Sequence, residues 1–299
     1  MVNLHIVNGS GTAYGFKQSH LEGEMLVWNE ALMLGPVFEP IGSQTFWSQR
    51  AAYFDQFDHT ASYQELMVPE LQKVGTELKY DRITLWFEHD YFCQINMMGV
   101  LSWISQYYAH TEINLVCIHE FPGVEGFRGL GQLQPEDFVT LWPQRVLLSS
   151  ADLSYAQKAW EWFSGPSPLA PMPEPCPPSF KYWSKAMQLH LLRYPHENGL
   201  NHPQNWVLQV IEKNNYSHGD LMRHLLINQD YWGFGDLQYL EIINNLSSCF
   251  SQTDPYQLNA FGNQLLQGEV VFDYPVFHVG GSNSSEFGWR QGHLVPQTT

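Results

Sequence analysis

Ionisable side chains directly follow two apolar segments in the first half of the chain, residues 83–87 and 113–118. They are Glu88, His89 and Asp90 after the first segment, and His119 and Glu120 after the second. Carboxylates and imidazoles are the groups that most often transfer protons in enzymes. Because ligands of open α/β sheets bind beyond the carboxyl ends of the strands, this placement predicts a ligand site.

Glu88 and His89 are the first candidates for a general acid or base in this site, with Asp90 and Glu120 as further candidate catalytic residues. Asp90 has an alternative role. It directly precedes a predicted helix, and Asp is among the commonest N-cap residues, so its carboxylate is also placed to cap that helix.

Two other interpretations of the carboxylates stay open. They would be structural if they paired with Arg50, Arg82 or Arg128, since an unpaired buried charge is costly. Imidazole and carboxylate groups also bind divalent metals, although the spacing here matches no metal motif such as HExxH. No residue is therefore assigned as a metal ligand.

Candidate ligand-binding residues also surround a glycine-containing loop after the first predicted strand. The ligand-binding set consists of Asn8, Gly9, Ser10, Glu30 and His119. Backbone N–H groups of such a loop bind phosphate, because small residues allow close approach. The glycine spacing, with Glu30 after the next strand, fits a dinucleotide pattern only loosely, so NAD-type binding is the weaker alternative. The sequence identifies no cofactor.

Four apolar segments that alternate with helical periodicity predict an α/β fold for residues 1–164, with a Rossmann-like parallel sheet. The predicted strands end at Val7, Trp28, Phe87 and Ile118, and a helix is expected over 91–108. Because strand–helix–strand units connect parallel strands, all four carboxyl ends are expected at one edge of the sheet. The glycine-rich residues 121–133 are interpreted as either a mobile lid or a plain surface loop.

Residues 165–178 contain seven prolines and are interpreted as a linker. Residues 179–299 are expected to form a smaller, mainly helical domain. Helices predicted over 180–193, 206–213, 218–227 and 237–246, followed by an extended segment at 249–258, resemble a winged-helix arrangement. The last of these helices carries Glu241 and no Lys or Arg, which disfavours a DNA-reading role.

The composition limits the class of protein and of partner. With 44% hydrophobic and 15% aromatic residues, the 299-residue chain can form a substantial core. Its net charge of −16 disfavours nucleic acid, because phosphate backbones are bound by clustered Lys and Arg. No segment has the length of a transmembrane helix, and residues 1–10 lack signal-peptide features, so we expect a cytoplasmic protein without membrane contact. The four cysteines form no CxxC pair and are expected to be reduced thiols.

Several segments together resemble a bacterial family, the domain of unknown function 1835 with its companion C-terminal domain. The segments that carry the resemblance are 5–9, 23–36, 85–90 with Gln94, 121–123, 129–133, 143–145, 194–195 and 198–200. The resemblance spans most of the chain and is most specific in the first 145 residues. It implies a two-domain bacterial protein and supplies no activity, because none is established for the family.

We therefore expect the protein to bind a small polar or phosphorylated ligand at the carboxyl ends of its strands, and the sequence leaves open whether it also turns that ligand over. The alternative is a non-catalytic regulatory or adaptor protein, whose aromatic-rich helical half binds a protein partner. An enzyme should gather the candidate side chains at one concave site, whereas an adaptor should show them paired with arginines or scattered.

Overall fold

The computed structural model describes residues 2–57, 63–71, 74, 80–108 and 110–297. A mixed five-stranded sheet forms the centre of the N-terminal half. Its strands are β1 (Asn3–Asn8), β2 (Glu24–Trp28), β3 (Arg82–Glu88), β4 (Glu112–Ile118) and β5 (Val146–Leu147). The spatial order is β2-β1-β3-β4-β5.

The first four strands pair in parallel, so the predicted arrangement with all carboxyl ends at one edge is confirmed. Strand β5 pairs antiparallel with β4 and was not predicted from the sequence. Its two side chains, Val146 and Leu147, are exposed. A strand of two residues with no buried side chain leaves no alternating hydrophobic pattern to detect.

The helices of this half are α1 (Gly9–Gln18), α2 (Gln44–Phe54), α3 (Tyr63–Leu71), α4 (Tyr91–Ser105), α5 (Pro135–Leu141) and α6 (Ser150–Ser164). Helix α4 is the predicted connection between β3 and β4, and it ends three residues before the predicted end. Nearly all of its side chains are buried. A helix that is apolar on every side is typical of the interior rather than the surface.

Side chains of each strand alternate between two packed layers, as the pleat of a strand requires. On one face, Val7 and Trp86 pack with helices α1 and α5 through Phe16 and Phe138. The opposite face, which includes Leu85, belongs to a larger core that contains α4 and α6. The sheet is therefore covered on both sides, and its carboxyl edge is where polar groups can meet.

The C-terminal half begins with four helices, α7 (Trp183–Leu191), α8 (His202–Lys213), α9 (His218–Asn228) and α10 (Asp236–Asn245), each of which overlaps a predicted helix. An antiparallel hairpin of β6 (Phe250–Thr253) and β7 (Tyr256–Leu258) occupies the segment predicted as extended. The remaining elements are α11 (Ala260–Leu266) and two short hairpins, β8 (His278–Val279) with β9 (Ser282–Asn283) and β10 (Phe287–Arg290) with β11 (His293–Pro296).

The two halves share one continuous hydrophobic core. A single buried cluster extends from Leu4 in β1 through α4 to Leu208 in α8 and Ile243 in α10. The proline-rich residues between the halves lie against α6, where Trp162 Nε1 donates to the Ala170 carbonyl at 2.8 Å. Within the described ranges, no helix combines the length and apolar character needed to cross a membrane.

Candidate functional site at the carboxyl edge of the sheet

The order of the strands reverses between β1 and β3, because β2 lies on one side of β1 and β3 on the other. In parallel α/β sheets, a crevice for ligands forms at such a switch point, beyond the carboxyl ends of the two strands. Asn8 is the last residue of β1 and Glu88 is the last residue of β3. Both side chains are buried. The predicted candidates from two separate segments therefore meet at this crevice.

The thiol of Cys93, in the first turn of α4, joins these candidates. Asn8 Nδ2 donates to Cys93 Sγ at 2.9 Å, and the thiol donates to Glu88 Oε2 at 3.0 Å. The Cys93 backbone N–H donates to Asp90 Oδ1 at 2.8 Å. Burial, the largest cause, and the nearby charges of Asp90 and Glu88 raise the pKa of this thiol far above its usual value. Cys93 is therefore a hydrogen-bond donor here and not a nucleophilic thiolate.

Glu88 is held by neutral donors. Besides the thiol of Cys93, its Oε1 accepts from the backbone N–H of Leu130 at 2.8 Å. Two of the arginines considered as partners form ion pairs elsewhere, Arg50 with Glu30 and Arg82 with Glu112. Burial first, and then repulsion from the charge of Asp90, raises the pKa of Glu88 to about 7, although the hydrogen bonds lower it. The carboxyl thus titrates near neutral pH.

Asp90 caps α4, as the alternative interpretation of its sequence position allows, because its carboxylate accepts from the backbone N–H of Cys93. Burial raises the pKa of this carboxyl. The first two N–H groups of the helix, those of Tyr91 and Phe92, donate to the carbonyl groups of Tyr231 and Trp232 at 2.7 and 3.3 Å. The N-terminus of α4 is therefore closed by the C-terminal half and does not offer an anion site.

His89 lies in a half-exposed ring cluster, which comprises His89, His119, Tyr182 and Tyr231. The centroid of the His89 ring lies 6.2 Å from that of His119, 5.9 Å from Tyr182 and 4.9 Å from Tyr231. His119 Nδ1 shares a 2.6 Å hydrogen bond with the Tyr182 hydroxyl. Burial, the main cause, lowers the pKa of His89. Its Nδ1 is buried and has no hydrogen-bond partner among the described residues.

A loop of small residues covers Glu88 and touches the start of α1. A side chain at Gly129 would approach the Glu88 carboxylate to 3.0 Å, and one at Gly131 would lie 3.4 Å from the Gly11 backbone. Arg128, Gly129 and Gly131 line a shallow open depression, together with Gln132 and with Leu226 from α9. The loop of residues 121–133, which was predicted to be either a lid or a surface loop, thus covers the buried carboxyl group of Glu88.

The N-terminus of α1 has no side-chain cap, because Asn8 at the N-cap position hydrogen-bonds Cys93 and Asn96 instead of the helix. No acidic residue occupies the first turn. Outside this turn itself, no described atom lies within 4 Å of the place where a Cβ would stand on Gly9 or Gly11, so the side-chain directions of both residues are open. Uncapped N–H groups at a helix start attract anions.

Besides His89 and His119 of the ring cluster, Glu30, Ser10 and Glu120 also lie outside the buried hydrogen-bond network of Asn8, Glu88, Asp90 and Cys93 with their side chains. The Glu30 carboxylate is buried in an ion pair with Arg50 at 2.5 Å and also accepts from the Tyr63 hydroxyl at 2.5 Å. Ser10 is exposed and donates to Asn29 Oδ1 at 3.0 Å. The Glu120 side chain is 79% exposed, and its nearest ion-pair partner is His119 at 3.8 Å.

Sequence reasoning missed four residues of the site: Cys93, Asn96, Tyr182 and Tyr231. Asn96 Nδ2 donates both to Asn8 Oδ1 and to the Glu30 carbonyl, at 3.2 and 2.8 Å. Gln94 and Asn96 are two amides in the first turns of a largely apolar helix, and this pattern was a signal that could have identified Asn96. The two tyrosines come from the C-terminal half, where nothing in the local sequence relates them to β3.

The described residues contain no group of three or more His, Cys, Asp or Glu side chains arranged to hold a metal ion. No protein-family model matches the chain. The curated proteins compared with it include none that matches. The resemblance of the first 145 residues to the domain of unknown function 1835 accordingly stays a prediction.

Proposed function

We propose that the carboxyl edge of the sheet binds a small polar ligand through an anionic group, such as a phosphate, at the first turn of α1. The uncapped start of this helix, with open space in the side-chain directions of Gly9 and Gly11, is the observation that carries the proposal. Arg128 lines the adjoining depression and supplies a positive charge at its rim. The closed N-terminus of α4 leaves α1 as the better of these two helix starts for an anion.

For turnover of the ligand, His89 and Glu88 remain the acid–base candidates. His89 is half-buried and has a lowered pKa, so its imidazole is neutral near pH 7 and can accept a proton. Glu88 has a pKa of about 7 and can both give and take a proton, but Leu130 covers it. His89 is therefore the more accessible of the two groups, and Glu88 would be reached only when the covering loop moves.

The architecture supports a Rossmann-like assignment of the sheet half, since ligands of that class bind at the same switch point. Helices α8 to α10 followed by the β6–β7 hairpin support a winged-helix-like assignment of the second half. We further propose that the protein is bacterial and cytoplasmic, and that it is a member of the family of the domain of unknown function 1835.

The adaptor alternative has one observation in its favour. Ile227 at the end of α9 and Leu237 in α10 are apolar and more than half exposed, at 53% and 54%. Exposed apolar side chains contribute to protein–protein contacts. A protein partner bound through the helical half therefore remains the second candidate function.

A thermal-shift screen tests the ligand proposal directly, because a ligand that binds only the folded state raises its melting temperature. The probes are inorganic phosphate, nucleotides, sugar phosphates and divalent metal ions. We expect a phosphorylated compound to raise the melting temperature, and metal ions alone to leave it unchanged.

Two variants locate the bound group. Arg128→Gln removes the rim charge, and Ser10→Asp places a negative charge in the first turn of α1, where it suits the helix dipole but repels an anion. Both should keep the stability of the free protein and lose the ligand-induced shift. Arg223→Gln, on the exposed side of α9, is the matched control and should keep it. A shift that survives both site variants would overturn the proposal.

A further inference from the structure

A separate cavity lies between the two halves of the chain, with none of the candidate residues of the carboxyl edge in its lining. It has a volume of about 50 Å³ and is lined by residues of α2, α8 and α10 and by the segments that follow β2, α7 and α11. Since one water occupies roughly 10 to 15 Å³ on this scale, the cavity has room for a group of a few non-hydrogen atoms. Its polar lining includes Arg193, Glu241, Tyr53 and Tyr274.

Arg193 brings a buried positive charge to this cavity and forms no ion pair with a described carboxylate. The side chain is 5% exposed. Its guanidinium donates to neutral acceptors, the carbonyl of Met33 at 2.5 Å, the hydroxyl of Tyr91 at 3.2 Å and the carbonyl of His278 at 3.4 Å. These bonds fix the orientation of the group, and none of them is made with a described carboxylate. A buried, oriented guanidinium is well suited to bind a carboxylate.

Glu241 brings the complementary charge to the same cavity. Its carboxylate is partly buried and forms neither a hydrogen bond nor an ion pair with any residue that the structure describes. Arg193 is close enough to lower the pKa of Glu241, although burial, the larger cause, raises it. The two charges therefore face one cavity without meeting in a salt bridge.

We propose that this cavity binds a small zwitterion, a free α-amino acid, with its carboxylate at Arg193 and its ammonium group at Glu241. An amino acid would supply each side chain with the opposite charge that it lacks. The hydroxyl of Tyr274 already accepts a hydrogen bond from Asn245 at 3.2 Å and thus can orient its own proton toward the carboxylate. The exposed His278 marks the rim, where a ligand side chain would leave the cavity.

Binding of simple probes to the intact chain tests separately the carboxylate and the ammonium group of the proposed ligand. Isothermal titration with glycine and the other protein amino acids, with acetate and with methylammonium compares the zwitterion with each charge alone. We expect at least one amino acid to bind about tenfold or more tightly than acetate or methylammonium, because only the zwitterion satisfies both charges.

Variants at the two charges separate their contributions. Glu241→Gln is nearly isosteric and removes no hydrogen bond found among the described residues, so the protein should fold normally. It should weaken amino-acid binding by about tenfold and leave acetate binding unchanged or stronger. Arg193→Lys should weaken both, and Glu212→Gln, at an exposed position of α8, should change neither.

The proposal is overturned if no amino acid binds, or if Glu241→Gln leaves the preference for amino acids over acetate intact. Should Arg193→Lys fail to fold, the Glu241→Gln comparison still decides the outcome. The site is separate from the first turn of α1, so Arg128→Gln should not alter amino-acid binding. The two proposals therefore fail independently.

Discussion

Glu30 and Glu88 are both buried carboxylates that follow strands, and the sequence offered no means to tell them apart. Glu30 forms a buried ion pair with Arg50 and accepts a hydrogen bond from the Tyr63 hydroxyl, so its carboxylate oxygens both have buried partners. Glu88 receives only a thiol and a backbone N–H in the hydrogen bonds described, and its pKa rises to about 7. The first contributes to structure, whereas the second retains a proton that is available near neutral pH.

Replacing Glu88 by Gln tests this difference through the pH dependence of stability. The carboxyl titrates near 4.5 when unfolded and near 7 when folded, so the folded protein holds an extra proton between these values. The free energy of unfolding contributed by Glu88 is therefore greatest below pH 4.5 and falls as the pH rises to 7. The free energy of unfolding of Glu88→Gln should equal that of the parent protein at pH 5. At pH 8 it should be higher by on the order of 1 to 3 kcal/mol.

Urea unfolding at pH 5 to 8 measures this difference between variant and parent. The difference is the useful quantity, because His5 and His190 have pKa values lowered to about 4 and about 3 by burial, and they act with the opposite sign. Glu120→Gln, at an exposed carboxylate of the same edge, is the control and should give a flat difference. A Glu88→Gln protein that is strongly destabilised at pH 8 would show that the charge is needed for folding.

For single residues, the sequence predicted which residue types lie at the carboxyl edge of the sheet. It did not predict their hydrogen-bond and ion-pair partners. Glu88, Asp90 and Asn8 were found because strand ends are visible as apolar runs that stop. The ion pair of Glu30 with Arg50 forms because α2 packs beside the end of β2, although the two residues are 20 positions apart in the chain. Such tertiary contacts leave no local pattern, so a single sequence does not distinguish a paired carboxylate from a free one.

Helix α4 organises the site, since it begins directly at the carboxyl end of β3 and supplies Cys93 and Asn96 to the network. Its start has two independent supports, the Asp90 carboxylate and the backbone of Tyr231 and Trp232. Apolar periodicity was enough to predict the helix itself. The support from the C-terminal half was not predictable, because it arises between backbone groups far apart in the chain.

Asp90 should act through hydrogen-bond geometry more than through charge. Asp90→Asn keeps an oxygen that accepts from Cys93 N–H, so it should leave the free energy of unfolding nearly unchanged or raise it at pH 8, where the buried carboxylate is disfavoured. Asp90→Ala removes the cap and should cost about 0.5 to 2 kcal/mol. If urea unfolding finds both variants equally destabilised, the charge of Asp90 has a role beyond capping.

Gly233 lies where the C-terminal half meets this helix start. Its φ of 65° is unfavourable for other residues, and an added Cβ would come within 2.1 Å of Asp90 Oδ1. Gly233→Ala should therefore lower the free energy of unfolding by about 2 kcal/mol or more, from backbone strain and displacement of the cap. Gly219→Ala in α9 meets no described atom within 4 Å and should stabilise by up to about 1 kcal/mol. If Gly233→Ala and Gly219→Ala change the melting temperature equally, the close contact between residue 233 and Asp90 is contradicted.

The largest hydrophobic cluster crosses from the sheet to the C-terminal helices and joins the two halves, while smaller clusters lie under α1 and α5 and beside the last hairpins. The order of β1 to β4, α4 and α7 to α10 could be predicted from the sequence, because each of these elements has its own apolar pattern. The packing of the two halves against each other could not be predicted. Residues 165–178 are rich in proline and have the composition of a linker, whether or not the units on either side share a core.

A shared core predicts that the chain unfolds as one unit. Calorimetry should show a single transition, and cleavage within 165–178 should leave the two pieces together on size-exclusion chromatography. Neither piece should be as stable alone, because each would expose apolar side chains of the common cluster to water. Two separate transitions, or fragments that elute apart after the cut, would show that the halves are independent domains.

The carbonyl groups that complete the start of α4 come from Tyr231 and Trp232, some 140 residues further along the chain. During synthesis the sheet half leaves the ribosome first. At roughly 5 to 20 residues per second, residue 232 emerges about 7 to 28 s after residue 91. Throughout that interval the nascent chain carries an incomplete helix start at the candidate site. The start of α4 at the candidate site is therefore completed only after Tyr231 and Trp232 of the C-terminal half have been translated.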